Sequence, residues 1–377
     1  MIPFNKPYLH GKELVYIAQA VASGKISGDG LFTKKCHEFF EQRYGFKKVL
    51  MTTSCTDALE MAALLLDIQP GDEVIAPSYT FVSTVNAFAL RGAKIIFADS
   101  YKDNPNIDPE QIAQLITKNT KAIVVVHYAG LACDMDAIMA ISKQHNIPVV
   151  EDAAQAIDSY YKGKPLGSIG TFGTFSFHET KNIIAGEGGL LVINDEQYIH
   201  RAEIIREKGT NRSSFFRGEV AKYGWVDIGS SFLPSDIIAA YLYAQLENID
   251  TIQARRKAIW QRYYEILNVE LANKDIQLPK LAEYSTNNAH MFYLVCKNLE
   301  QRTALIQHLK ENGVHAVFHY LSLHTSEYYQ SKYIGYALPY SDFFTDTLVR
   351  LPLYYELTDE QVDYICKIIS EFSNSNE

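Results

Sequence analysis

Short apolar segments alternate with amphipathic ones through the first two-thirds of the chain. Most of the apolar segments are rich in β-branched residues and apolar at nearly every position, which is typical of strands buried on both faces of a parallel sheet. The predicted strands are residues 49–54, 73–78, 93–100, 121–130, 148–154, 170–178 and 189–195. Between them, apolar residues recur every three or four positions, as on one face of a helix. This order predicts an α/β fold with a mostly parallel sheet of about seven strands and helices on both faces.

The pattern changes near residue 250. A long polar and amphipathic stretch, residues 246–267, predicts a connecting helix. A short strand at 291–297 and a helix at 303–313 follow it, a mixture that is typical of an α+β unit. We therefore expect a large α/β domain over residues 1–250 and a smaller C-terminal α+β domain over residues 251–377.

Composition and charge narrow the class of protein. The 377 residues are 47% hydrophobic and 21% charged, and the formal net charge is −9. Such a chain is typical of a soluble globular protein and lacks the basic face of a general nucleic-acid binder. The five scattered cysteines contain no CxxC pair, which favours a reducing cytoplasm and predicts no metal site. The most apolar run, residues 122–133, is too short to cross a membrane.

Polar residues gather where the predicted strands end. Ligands of open parallel sheets bind beyond the carboxyl ends of the strands. Asp152 follows one apolar strand, and Lys181 follows the alternating run that ends near His178. A buried ammonium without a partner is costly, so a lysine at this edge needs a chemical reason. We expect Asp152 and Lys181 to lie on one rim of the sheet.

Each of the other polar positions also has a purely structural interpretation. The turn from Ser54 to Thr56 opens a helix and could bind a phosphate, or Ser54 could simply cap that helix. Asp152 could likewise be a helix cap, and Tyr79 could fill the core. No GxGxxG follows the first strand and no P-loop occurs, which disfavours a Rossmann dehydrogenase or an ATPase. The HETKN segment lacks the second histidine of HExxH, so no zinc site is predicted.

Together these residues suit pyridoxal 5'-phosphate. This cofactor needs a lysine for a Schiff base, an acid at its pyridinium nitrogen, a phosphate cup and a ring to stack on. Lys181, Asp152 and Tyr79 would supply the lysine, the acid and the ring. Ser54 to Thr56, with Ser176, would supply the phosphate cup.

Several segments resemble a known family. EDAAQA (151–156), SFHETKN (176–182) and GEGG (186–189) are similar to the DegT/DnrJ/EryC1/StrS sugar-nucleotide aminotransferases. The similarity covers essentially the whole chain. The longer stretches that resemble members forming dTDP-4-amino-4,6-dideoxy-D-galactose are residues 54–84, 126–139, 206–220 and 223–231.

The resemblance implies a fold-type-I pyridoxal phosphate enzyme, usually a homodimer with active sites at the subunit interface. Lys181 would form the Schiff base, Asp152 would keep the pyridinium nitrogen protonated, and Gln155 would lie near the cofactor hydroxyl. Tyr79 would stack on the ring. The phosphate would be held by Cys55, Thr56 and Ser176.

One position departs from the family pattern. Many relatives carry an asparagine that reaches the cofactor phosphate of the partner subunit, and this chain has Ser231 in that region. The prediction is that Ser231 takes over the contact. The intact Lys181 argues against the sugar dehydratases of the family, which have a histidine in its place.

The implied reaction moves the amine of L-glutamate to C4 of dTDP-4-keto-6-deoxy-D-glucose, through pyridoxamine 5'-phosphate. The products would be dTDP-4-amino-4,6-dideoxy-D-galactose, for surface polysaccharide biosynthesis, and 2-oxoglutarate. His319 and Tyr320 are candidate sugar contacts, with a structural role as the alternative. The basic residues of the 206–220 segment are candidate diphosphate contacts, or a solvated helix end and loop: Arg206, Lys208, Arg212 and Arg217.

Other activities fit the same cofactor residues. A C3-aminotransferase, a C4-aminotransferase that forms the gluco product, and an enzyme for a UDP- or GDP-sugar all need the same chemistry at nitrogen. A non-catalytic regulatory homologue is a different class, which the intact Lys181, Asp152 and Gln155 disfavour. The face on which C4 is protonated depends on how the sugar lies in the pocket, so the galacto product rests on the resemblance alone.

Overall fold

The computed structural model describes residues 1–375. Its helices, in chain order, are α1 (Glu13–Ala22), α2 (Leu31–Tyr44), α3 (Cys55–Leu65), α4 (Ser83–Ala89), α5 (Pro109–Leu115), α6 (Met135–His145), α7 (Ile199–Arg206), α8 (Arg212–Phe216), α9 (Asp236–Leu246), α10 (Ile249–Glu270), α11 (Leu299–Glu311), α12 (Pro339–Thr347) and α13 (Asp359–Ser375). Its strands are β1 (Lys48–Thr52), β2 (Glu73–Pro77), β3 (Lys94–Ala98), β4 (Thr120–Val126), β5 (Val149–Asp152), β6 (Tyr160–Tyr161), β7 (Lys164–Pro165), β8 (Phe172–Ser176), β9 (Gly189–Ile193), β10 (Phe292–Val295), β11 (Val317–Phe318) and β12 (Leu348–Leu351).

The main sheet has seven strands in the order β1-β9-β8-β5-β4-β2-β3. All neighbouring pairs from β8 to β3 are parallel, whereas β9 runs antiparallel to both β1 and β8. The predicted mostly parallel α/β fold is therefore confirmed. Several observed strands end earlier than predicted, because the chain turns as soon as the polar residues begin. The strand predicted at 121–130, for example, ends at Val126, and Tyr128–Gly130 form a 3₁₀ turn.

Both faces of this sheet are buried, which explains the continuously apolar strands. Successive side chains of a strand point to opposite faces. Ile123 and Val125 of β4 therefore belong to one hydrophobic core, and Ala122 and Val124 belong to the other. Each core is closed by helices packed on its side of the sheet.

The loop between β8 and β9 returns to the same edge of the sheet. Ser176, the last residue of β8, pairs with Gly189, the first residue of β9. The Phe177 N–H donates to the Gly188 carbonyl at 2.8 Å, so the pairing continues one step into the loop. Lys181 lies in this loop, and both ends of the loop are anchored to the sheet.

The first turn of α3 rests directly on β9. Ser54 caps the helix, because its side chain accepts a hydrogen bond from the Asp57 N–H at 3.1 Å. A Cβ at Gly189 would lie 2.3 Å from the carbonyl carbon and oxygen of Ser54. Only a residue without a side chain allows this approach, so Gly189 holds the α3 turn in its position at the sheet edge.

The chain beyond α10 forms a second sheet of three antiparallel strands, β10-β12-β11. Its core includes Trp260 of α10, Phe292 and Leu351, and also Ile2 from the start of the chain. The predicted strand at 291–297 and the helix at 303–313 are present as β10 and α11. The domain boundary near residue 250 stays a prediction. In the part of the chain described, every helix is too short or too polar to span a membrane.

We predict that Gly189→Ala destabilises the protein by about 1–3 kcal/mol, because the added methyl group overpacks against the Ser54 backbone. The measurement is the free energy of unfolding in urea. Gly224→Ala is the matched control, because a Cβ at Gly224 meets no atom within 4 Å. Equal stability of the two variants would contradict the close contact.

Candidate active site

A cavity of about 560 Å³ lies at the carboxyl-end edge of the main sheet, where the second sheet covers it. Residues from both sheets form its walls. The predicted site residues that border it are Cys55, Thr56, Asp152, Gln155, Ser176, Lys181, His319 and Tyr320. The predicted site residues that do not border it are Tyr79, Lys208, Arg212 and Ser231.

Lys181 presents its amine to the cavity. Its backbone N–H donates to the His178 carbonyl at 2.9 Å, which fixes the turn after β8. Within residues 1–375 the side chain has no ion pair and no hydrogen bond. Burial lowers the pKa of Lys181 to about 8, although the neighbouring Cys55 and Asp152 act in the opposite direction. A lysine with this lowered pKa has far more neutral amine at physiological pH than an ordinary lysine, which makes it a better nucleophile and base.

Asp152 is a buried carboxylate at the end of β5. The Thr84 hydroxyl donates to its Oδ2 at 2.7 Å, and the Ala154 N–H donates to its Oδ1 at 3.1 Å. Burial raises the pKa of Asp152, and these two hydrogen bonds partly offset that effect. The described residues form no salt bridge with it. A cationic N–H group in the cavity would therefore find an acceptor in this carboxylate.

The first turn of α3 offers hydrogen-bond donors. At a helix N-terminus the first N–H groups have no acceptor within the helix, and here these belong to Cys55 and Thr56. The Thr56 hydroxyl donates to Ser83 Oγ at 2.9 Å, and both hydroxyls border the cavity with Ser176. Such a turn attracts a phosphate through its free N–H groups and the helix dipole.

Gln155 connects the two sheets above the cavity. Its Oε1 accepts the Ala129 N–H at 2.6 Å, and its Nε2 donates to the Tyr320 hydroxyl at 3.2 Å. The adjacent His319 is 3.0 Å from the Tyr128 hydroxyl through Nδ1. The segment that carries His319 and Tyr320 is thus held against the main sheet.

The structure does not agree with a stacking role for Tyr79. Its side chain is 1% exposed and packs against Tyr128 and Phe344, with ring centroids 5.5 and 5.8 Å away. Phe81, two residues further on, borders the cavity instead. The reason is the turn after Pro77, which directs Tyr79 toward the second sheet and Phe81 toward the cavity.

The basic residues of the 206–220 segment have separate environments. Arg206 is buried in an ion pair with Asp29, which makes it unsuitable for a ligand. Arg217 pairs with Glu219 and Glu203. Lys208 and Arg212 are exposed, and the Arg212 guanidinium lies 5.1 Å from the Phe216 ring. Ser231 is also exposed and bridges to Glu207.

The residues at the cavity that were missed in the sequence include Thr84, His290 and Arg350. Arg350 interrupts the apolar segment LVRLPL, and His290 stands directly before the apolar run MFYLV. A charged or titratable residue within or directly before an apolar strand indicates a possible site residue. Thr84 lies inside an ordinary helix and offers no such signal.

Arg350 is a guanidinium without an acid partner. It lies on β12, and in the described chain it forms neither an ion pair nor a side-chain hydrogen bond. Its Nε is buried and unpaired, and its Cζ is 4.8 Å from the Phe4 ring centroid. Burial lowers the pKa of Arg350, which reflects the cost of an unpaired charge.

Known proteins match this chain over its length. The family model described as the DegT/DnrJ/EryC1/StrS aminotransferase family matches residues 7–370. Spr1654 from Streptococcus pneumoniae, provisionally described as a sugar aminotransferase and solved in its PMP form, is 28% identical, with both chains covered fully and a TM-score of 0.91. The aminotransferase TlmJ from Streptoalloteichus hindustanus has the same identity, coverage and TM-score. DesV from S. venezuelae, solved with a ketimine intermediate, is 27% identical over 99% of this chain and 98% of its own, with a TM-score of 0.89.

We predict that Lys181 of the cofactor-free protein reacts with an acylating reagent with a midpoint near pH 8, which is its lowered pKa. Below the midpoint, each pH unit reduces the neutral amine about tenfold, and above it the rate levels off. Ordinary exposed lysines, with a pKa of roughly 10.4, continue to gain reactivity in this range and serve as the reference in the same digest. Peptide mass spectrometry gives both profiles. A midpoint for Lys181 at or above that of the exposed lysines would contradict the expected shift.

Proposed function

The chain belongs to the DegT/DnrJ/EryC1/StrS aminotransferase family, and on this premise we propose its reaction and its substrates. It is a pyridoxal phosphate-dependent sugar aminotransferase. It transfers the amine of L-glutamate to C4 of dTDP-4-keto-6-deoxy-D-glucose, forming dTDP-4-amino-4,6-dideoxy-D-galactose and 2-oxoglutarate. The observation that carries the proposal is a single cavity bordered by an amine and a carboxylate that form no ion pair, and by the N-terminus of a helix.

The residues present fit this cofactor. Asp152 is a buried carboxylate with no cationic partner in the described chain, which suits a protonated ring nitrogen. The N–H groups of Cys55 and Thr56, with the Ser176 hydroxyl, suit a phosphate. The relative Spr1654 has been solved in forms described as PMP and PLP. Phe81 borders the cavity and Tyr79 does not, so Phe81 replaces Tyr79 as the aromatic side chain proposed to stack on the ring.

Bound pyridoxal phosphate supplies an aldehyde that takes up the amine and a cationic ring that withdraws electrons from the carbon being deprotonated. Lys181 moves the proton between the substrate carbon and the cofactor carbon, because its lowered pKa lets the amine both accept and release a proton near neutral pH. Asp152 stabilises positive charge at the ring nitrogen. Gln155 holds Tyr320 at the wall of the cavity.

Arg350 binds a carboxylate of the amino donor. A buried guanidinium without an acid partner is costly, and a carboxylate that enters the cavity removes that cost. The planar fork of donors also matches a carboxylate in two parallel hydrogen bonds. Lys208 and Arg212 are exposed outside the cavity, so they are better placed for the diphosphate of the nucleotide sugar. His319 and Tyr320 border the cavity and face the sugar.

The active enzyme is a homodimer. Exposed apolar side chains cluster in the 215–228 segment, including Phe216, Trp225 and Val226, of which Trp225 is 85% exposed. Exposed patches of this kind mark protein–protein contacts. Ser231 adjoins this segment, which supports its contact with the cofactor phosphate of the partner subunit. The five cysteines are free and buried, which fits a cytoplasmic enzyme.

We predict that the purified protein, given dTDP-4-keto-6-deoxy-D-glucose and L-glutamate, forms a product with an axial amine at C4. NMR coupling constants of the product measure the position and the geometry together. Lys181→Ala should abolish turnover while the fold is kept, because no other amine faces the cavity within the described residues. A C3 amine, an equatorial C4 amine, or turnover only with a UDP- or GDP-sugar would replace this substrate with the corresponding alternative.

We predict that Arg350→Met raises the KM for L-glutamate about ten- to a hundredfold, the size of a lost charge-assisted hydrogen-bond pair. The KM for the nucleotide sugar should change little. Arg302→Met is the matched control, because Arg302 also has buried unpaired nitrogens and lies 5.3 Å from a phenylalanine ring, outside the cavity. Steady-state kinetics with each substrate varied in turn give both constants. An equal rise for both substrates, or none, would count against the carboxylate site.

A further inference from the structure

A strap formed by residues 2–8 runs along the second sheet and passes Arg350. Ile2 is buried in the core of that sheet. Its backbone N–H donates to the Gly313 carbonyl at 2.7 Å, and its carbonyl accepts from the His315 N–H at 3.0 Å. This pairing anchors the start of the strap to the segment that leads into β11, the strand that pairs with β12 at Arg350.

Phe4 of the strap places its ring against the Arg350 guanidinium. The Arg350 Cζ lies 4.8 Å from the ring centroid, inside the range of roughly 6 Å over which the face of an aromatic ring attracts a cation. Within residues 1–375 the guanidinium has no ion pair and no side-chain hydrogen bond, so this ring is the contact that offsets its charge. Arg350 borders the cavity and Phe4 does not. The ring therefore contacts the cation from outside the cavity.

A ring face leaves the N–H groups of the guanidinium free. A carboxylate partner from the protein would accept hydrogen bonds from these groups, whereas an aromatic face attracts the charge without occupying the planar fork of donors. The fork stays available for a carboxylate of a ligand. The ring also restricts a long side chain, whose ordering would otherwise weaken the binding of a ligand. Phe4 thus both steadies Arg350 and leaves it open to a ligand.

The next residue of the strap contacts the loop that carries Lys181. Asn5 donates through Nδ2 to the Glu179 carbonyl at 3.1 Å, and Glu179 is two residues before Lys181. Neighbouring residues of one short segment therefore hold the Arg350 guanidinium and the Lys181 loop. In the proposed reaction these are the two groups that act on the same amino donor.

We propose that Phe4 is a positioning residue that holds the Arg350 guanidinium in the orientation that receives the carboxylate of the amino donor. Phe4 acts through Arg350 and does not contact the donor itself. The role of Arg350 toward the donor belongs to the proposed function, on which this inference rests. The contact between the ring and the cation is a property of the chain alone and is measurable without turnover.

The first test is the steady-state kinetics of Phe4→Leu, which keeps an apolar side chain and removes the ring face. The KM for L-glutamate should rise about three- to tenfold, the size of one lost cation–π contact. The kcat and the KM for the nucleotide sugar should change little. Phe4→Tyr keeps the ring face and should restore the KM. Phe318→Leu is the matched control, because the Phe318 ring lies 5.3 Å from the Arg302 Cζ in a similar pair outside the cavity.

A double-variant cycle separates positioning from a general loss of packing. Arg350→Met has no guanidinium to orient, so adding Phe4→Leu to it should raise the KM for L-glutamate no further. Lost packing of the strap would instead add its effect in both backgrounds. Additive effects, an equal rise in KM for both substrates, an unchanged KM in Phe4→Leu, or a Phe4→Tyr variant that behaves like Phe4→Leu would each overturn the proposal.

The second test is NMR of arginine-labelled, cofactor-free, full-length protein, and it needs no sugar reaction. The Arg350 Nε–H signal is assigned by its loss in Arg350→Met. A group over the face of an aromatic ring resonates upfield, so this signal should lie upfield of those of exposed arginines. It should move downfield in Phe4→Leu and stay close to its original position in Phe4→Tyr. An Arg350 signal that is the same with and without the Phe4 ring overturns the inference.

A titration with glutarate, a dicarboxylate of the same chain length as L-glutamate, completes this test. Glutarate should shift the Arg350 signal of the unaltered protein, and the apparent Kd should be about three- to tenfold weaker in Phe4→Leu. An Arg350 signal that does not respond to glutarate, or an equal Kd in both proteins, overturns the positioning role. A protein that binds glutarate in this way but leaves the nucleotide sugar unchanged contradicts the proposed function and leaves the role of Phe4 standing.

Discussion

The cavity is organised around ionisable groups that the protein buries, wholly or in part, without an ion-pair partner. Asp152 is buried, Lys181 and Arg350 are half-buried, and none of the three forms an ion pair within the described residues. An unpaired buried charge costs several kcal/mol, so the rest of the fold must be stable enough to bear it. The two hydrophobic cores on the faces of the main sheet, and the third core around β10 and β12, provide that stability. The charged groups of a bound ligand can form the ion pairs that these three side chains do not form with the protein.

The charges come from separate parts of the chain, and hydrogen bonds between the two sheets keep them aligned. Gln155 reaches Tyr320, and Ser78 at the end of β2 is 2.8 Å from Nδ1 of His324. Asn182 reaches both Asn288 and His290. These contacts join the carboxyl ends of the main strands to the second sheet at three points. The position of Arg350 relative to Lys181 therefore depends on the fit between sheets rather than on either sheet alone.

The sequence predicted what depends on local pattern and missed what depends on turns and distant segments. Seven apolar runs were enough to predict the main sheet, because buried parallel strands are apolar on both faces. The positions of Asp152 and Lys181 at one edge of the sheet were also predictable, because both residues follow the predicted end of a strand. Tyr79 was expected at the cavity because it follows a strand, but a turn directs Phe81 there instead. His290 and Arg350 border the cavity only because the second sheet packs against the main sheet. The periodicity of apolar residues along the chain does not predict that packing.

The β8–β9 hairpin has a consequence for how such a site can change over time. Ser176 and Gly189 are paired in the sheet, so the segment between them is a loop with both ends fixed. A residue added to or removed from that loop would displace Lys181 while the ladder of the sheet and its cores kept their register. The direction of the Lys181 amine can thus change while the strands that carry the loop stay in place. In a fold with this connection, substitutions and length changes in one short loop can alter the chemistry of the site while the stability of the sheet and its cores is kept.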